Sequence, residues 1–87
     1  MRETFCLIAF DSPHAAIRSE KLLKALSPAV VPTLRAVTAS CGMSLRLKTE
    51  QAEEARSLLK ASSLDPSLYR FYHVEQEGEE TRCTQTD

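Results

Sequence analysis

The stretch Val30-Val31-Pro32-Thr33-Leu34-Arg35-Ala36-Val37-Thr38-Ala39-Ser40-Cys41-Gly42-Met43-Ser44-Leu45-Arg46-Leu47 decides how this chain folds. Its second half alternates, with Met43, Leu45 and Leu47 on one side and Ser44, Arg46 and Lys48 on the other, the period-2 signature of a half-buried strand. Its first half is rich in β-branched residues and reads as a partner strand over Ala29–Arg35, with Pro32 unable to donate to a ladder and so marking a sheet edge. The connection between the two carries Ser40-Cys41-Gly42, a thiol beside the first glycine of the chain, in a loop expected to be exposed.

Outward from that hairpin the same pattern occurs on both sides. Thr4 to Phe10 is a nearly continuous apolar run suited to a central strand. Ser12-Pro13 then opens a helix, Ser as N-cap and Pro at the first helical position. Ala15, Ser19, Leu22, Leu23 and Leu26 share its inner face, and Ser27-Pro28 ends it. After the hairpin, Thr49 is placed to cap a second helix whose first turns hold Glu50, Glu53 and Glu54 and whose apolar stripe is Ala52, Ala55, Leu58 and Leu59. Ser67 to Val74 reads as the last strand. From residue 76 to 87 the chain is acidic and polar and is expected to be a disordered tail behind one domain over residues 1–75.

The order β-α-β-β-α-β predicts an α+β fold of the ferredoxin-like kind, a four-stranded antiparallel sheet with two helices on one face. Right-handed crossovers place the first and third strands in the centre and the second and fourth at the edges. In this topology the hairpin holding Cys41 and the start of the first helix, with Ser12 and His14, share one end of the domain.

Composition narrows the function. The chain has 87 residues, so a single core is only just sufficient and a large enclosed active site is not expected. A net charge of −1 without clustered Lys and Arg argues against nucleic acid. No apolar run is long enough to span a bilayer, and the N-terminus leads directly into a strand, which predicts a cytoplasmic protein with no membrane partner. The three cysteines are irregularly spaced, so neither a disulfide framework nor a metal site is expected, and no cofactor is implied. Cys6 lies inside the apolar strand as a small buried hydrophobe, and Cys83 lies in the polar tail. Cys41 alone sits where a thiolate would be stabilised, beside a helix N-terminus and Arg35.

Pro32-Thr33-Leu34-Arg35, the Thr/Ser-rich step into Ser40-Cys41-Gly42 and the alternating strand after it resemble the DUF3343 family, described as selenium or sulfur carrier proteins. Phe10-Asp11-Ser12-Pro13-His14-Ala15-Ala16 and Glu20-Lys21-Leu22-Leu23-Lys24 resemble the first helix of that family. The resemblance implies a carrier or accessory protein, more than a stand-alone enzyme, that holds the chalcogen on Cys41. Ser12, His14, Arg35, Ser40 and Gly42 would then support the anion, and sulfur or selenium donor and acceptor proteins, such as a cysteine desulfurase, would be its partners. Two other readings stay open on the residues alone: a small ligand-binding or regulatory module, and an interaction domain working through its open sheet face or an edge strand as a weak homodimer.

Overall fold

The computed structural model describes residues 2–33 and 42–86. Among these residues seven elements follow one another: β1 (Arg2–Phe10), α1 (Pro13–Leu22), β2 (Ala29–Pro32), β3 (Met43–Leu47), α2 (Ala52–Lys60), β4 (Tyr69–Glu77) and β5 (Glu80–Gln85), with short 3-10 turns at Lys24–Leu26, Thr49–Gln51 and Pro66–Leu68. The strands form one antiparallel sheet in the order β2-β3-β1-β4-β5. The expected sheet of four strands is therefore one of five, and β4 is an interior strand. β2, with Pro32, does lie at an edge.

The correction comes from the C-terminal residues. Residues 76–85, expected to be disordered, complete β4 and form β5, paired from Glu77↔Glu80 to Tyr72↔Gln85. Gly78 takes φ +60 at the first of two loop positions and Glu79 does not, the pattern of a type II′ hairpin turn, which glycine enters without steric cost. Polar residues suffice in β5 because the strand covers an edge and needs to bury little of its own surface.

β1 is buried on both faces. Cys6, Ile8 and Phe10 point to the helices and pack with Ala15, Ala16, Leu23, Leu26, Leu45, Leu47, Ala55, Leu59, Tyr69 and Phe71. Phe5, Leu7 and Ala9 point to the far face, where they form a second small core with Val74, flanked by Val31, Tyr72 and Cys83. The guanidinium of Arg46 lies 4.0 Å over the Phe5 ring and pairs with Glu3, so a half-exposed ion pair covers this part of the far face. The far face is thus less open than alternation alone suggests.

The helices follow their caps in part. Ser12 accepts a hydrogen bond from the Ala15 N–H at 3.1 Å, and Pro13 occupies the first turn, as expected. α1 stops at Leu22, and after a 3-10 turn Ser27 adopts a left-handed φ of 53°. Ala16 is buried on the inner face, while Leu22 is 37% exposed. Thr49 does not cap α2: the Thr49–Gln51 turn intervenes, and the Thr49 hydroxyl donates to Thr4 Oγ1 at 3.4 Å.

Ser19 is fully buried, and its hydroxyl has no partner among the described residues. A buried unmade hydrogen bond costs roughly 1–3 kcal/mol. Ser19→Ala should therefore raise stability in urea unfolding by about 1 kcal/mol. Deleting residues 78–87 should lower the thermal midpoint by at least about 5 °C, because Val74 and the small far-face core lose the cover of Cys83. An unchanged midpoint would show that β5 adds nothing to the sheet.

Candidate functional site

Strand register decides which residues share an end of the domain. Val31 is opposite Ser44, Ser44 opposite Ala9 and Ala9 opposite Arg70, one row across four strands. Two steps beyond that row, the Thr33 N–H donates to the Gly42 carbonyl at 3.0 Å, and the Asp11 N–H donates to the Leu68 carbonyl at 2.9 Å. The ends of β2 and β1, the start of β3 and the first turn of α1 therefore lie together. Ser12 and His14 on one side and Gly42 on the other occupy this end, as the topology predicts.

Of the expected site residues, Arg35, Ser40 and Cys41 lie outside the described residues. Ser12 is the N-cap of α1. His14 is exposed in the first helical turn, with no hydrogen bond or ion pair among the described residues. Gly42 is exposed, and no described atom lies within 4 Å of where a β-carbon would stand, so the backbone there is uncrowded. Ser44 is fully buried and shares a 2.8 Å hydrogen bond with the Thr33 hydroxyl, which ties the base of the hairpin from one strand to the other.

The feature that sequence reasoning missed is a bidentate ion pair. Arg70 donates from Nη1 to Asp11 Oδ1 at 3.2 Å and from Nη2 to Oδ2 at 3.0 Å, joining the residue before the α1 cap to β4. Both side chains are partly exposed, so the fork is a modest stabiliser, but its two bonds fix the orientation of this corner. The signal available was Asp11 one residue before the cap. Arg70 could be paired with it only once β1 and β4 were in register.

The two described thiols are poor nucleophiles. Cys6 is 3% exposed, in the row Leu47–Cys6–His73–Thr84. Burial pushes its thiol up to about 11, against a smaller opposing pull from the Arg56 guanidinium. Cys83 is not a free tail thiol. It stands opposite Val74 against the far-face core, and partial burial raises its pKa as well. Among the described residues, no group of three or more His, Cys, Asp or Glu is arranged to hold a metal ion. Among them, too, no helix is long and apolar enough to cross a membrane.

Residues 5–70, about three-quarters of the chain, match the family model described as "Putative Se/S carrier protein-like". The chain belongs to that family. The matched segment runs from β1 into the start of β4, so the corner defined by Asp11, Ser12, Gly42 and Arg70 falls inside it and β5 falls beyond it. No curated protein and no solved structure matches the chain.

The raised Cys6 pKa has a stability consequence of definite sign. The folded thiol holds its proton up to about 11, and the unfolded thiol loses it near 9.0, so the contribution is whole below pH 9.0 and is lost as pH rises through about 11. Urea unfolding of wild type should show a decline of up to about 3 kcal/mol across that window from this group. Cys6→Ala should remove that part of the decline; equal slopes for the two proteins would show that the thiol is not desolvated.

Proposed function

We propose that this protein carries a sulfur or selenium atom on the thiol of Cys41. The observation that carries the reading is the family match across Ser40-Cys41-Gly42, and the register of the sheet supports it. Gly42, one peptide bond from Cys41, lies at the end of the domain where α1 presents its N-terminus. The positive end of the helix dipole favours a thiolate over a thiol, here through the dipole more than through free donors, since Pro13 has no N–H and the Ala15 N–H is bonded to Ser12. Ser12, His14, Arg35 and Ser40 are the further groups we assign to supporting the anion. The described thiols are disfavoured as carriers because both are shifted up by burial. We read the architecture as a ferredoxin-like unit of β1–β4 and two helices, extended by β5, working in the cytoplasm.

The transfer itself is a thiol–persulfide exchange. The Cys41 thiolate attacks the outer sulfur of a donor persulfide, a bond forms between the Cys41 sulfur and that atom, and the donor S–S bond breaks to release the donor thiolate. No external oxidant or reductant enters. The donor is a persulfide-bearing protein of the cysteine desulfurase kind, and the acceptor takes the atom by the reverse attack.

The test is persulfide loading from a desulfurase, followed by peptide mass mapping. Wild type and the Cys6→Ala/Cys83→Ala double variant should load on the peptide containing Cys41, and Cys41→Ser should fall to background. Loading that survives in Cys41→Ser would transfer the role to another group and leave a ligand-binding module as the better account.

A further inference from the structure

We infer that the free edge of β5 pairs with β5 of a second copy, joining two sheets into one of ten strands about a two-fold axis at Cys83. Among the described residues, β5 ends the sheet on one side, and β2 ends it on the other. β2 is a poor acceptor for a further strand, since it has four residues and one of them, Pro32, has no N–H to offer. β5 has six residues with no proline, lysine or bulge in Glu80–Gln85, and its two charged residues, Glu80 and Arg82, both lie in pairs hydrogen-bonded to β4, so they do not occupy the outward-bonding positions of the open edge.

The hydrogen-bond parity fixes what β5 presents. The Thr86 N–H donates to the Phe71 carbonyl at 3.0 Å, extending the Tyr72↔Gln85 register by one pair. Hydrogen-bonded pairs alternate along an antiparallel ladder, so His73↔Thr84, Glu75↔Arg82 and Glu77↔Glu80 are bonded pairs as well. Thr81, Cys83 and Gln85 therefore turn their N–H and C=O groups away from β4, toward the open edge.

A two-fold axis perpendicular to the sheet brings residues of the same face opposite each other. Centred on Cys83, it sets Cys83 against Cys83, Thr81 against Gln85 and Arg82 against Thr84 of the other copy. All three outward residues of each strand then find bonding partners, and no like charges oppose. Glu80 of one copy faces Thr86 of the other, whose hydroxyl accepts from the Arg56 guanidinium at 3.0 Å, a group already ion-paired with Glu53, so no bare like charge opposes Glu80. Centred on Arg82, the axis would oppose two guanidinium groups in a close, non-hydrogen-bonded pair. Centred on Thr84, it would shorten the ladder. Charge and parity together select a second copy in the Cys83 register.

The interface is small, so the dimer forms only at high concentration. Light scattering should show the mass rising from monomer toward dimer between about 20 μM and about 1 mM. Thr81→Pro is the discriminating variant, because the Thr81 N–H points away from β4 and its loss leaves the β4–β5 ladder whole. It should remain monomeric at the top concentration with an unchanged thermal midpoint. If that midpoint falls, Thr81→Lys, which keeps the backbone N–H and blunts the edge by charge, should be monomeric instead. In a Cys6→Ala/Cys41→Ser background, a short bifunctional thiol reagent should link Cys83 to Cys83. A monomer mass at 1 mM, a dimer that persists in the folded variant, or a dimer without the Cys83 link overturns the inference.

Discussion

Two-sided burial of β1 is the constraint on which the rest of the structure depends. Phe5 to Phe10 are six consecutive buried residues. Each large apolar side chain among them contributes roughly 1.5–3 kcal/mol of transfer free energy, so this strand supplies a major part of what orders a domain of this size. Because both faces of β1 are apolar, hydrophobicity by itself does not fix its register. A one-residue slip would exchange Cys6, Ile8 and Phe10 for Phe5, Leu7 and Ala9 at little cost in the strand itself. Register must come from its neighbours, through the alternation of β3, the helix-facing aromatics of β4 and the Arg70–Asp11 fork.

That register carries the candidate site. With Ala9 between Ser44 and Arg70, the chain leaving β1 turns into the α1 cap beside the strand ends that flank residues 34–41. The Thr33–Gly42 and Thr33–Ser44 hydrogen bonds close the base of the hairpin. Burial meanwhile divides the thiols. Cys6 is inside the main core and Cys83 rests against the smaller one, and in both places removal from water penalises the thiolate. A core strand rich enough to hold the fold together thus keeps its own cysteine unreactive.

β5 changes what the protein shows to its surroundings. Without it, β4 would be an edge carrying Val74, which is fully buried in the five-stranded sheet. With it, the open edge moves to a polar strand held on by cross-strand pairs such as Glu75↔Arg82 and by Arg56, which lies over Phe71 and donates to Thr86. The family match ends before β5, so the matched part and the exposed edge are different parts of the chain.

The sequence by itself determined the local features: the Ser12-Pro13 helix start, the alternation of Met43 to Leu47, the edge placement of Pro32, the burial of Cys6, and the placement of Gly42 and the start of α1 at the same end of the domain. Each of these follows from a side chain acting on its own backbone or from the handedness of short connections. Tertiary structure decided the rest. Residues 76–85 lack apolar content, and they are ordered by a ladder whose other half is β4 and by a glycine turn that no hydrophobic period reveals. The Arg70–Asp11 fork joins residues far apart in the chain. Thr49 looks like a cap by composition, yet a 3-10 turn moves the start of α2 three residues on and turns its hydroxyl toward Thr4. Pairing energy of this kind comes into being only when two distant strands are already in register, which is why a reading of one segment at a time cannot contain it.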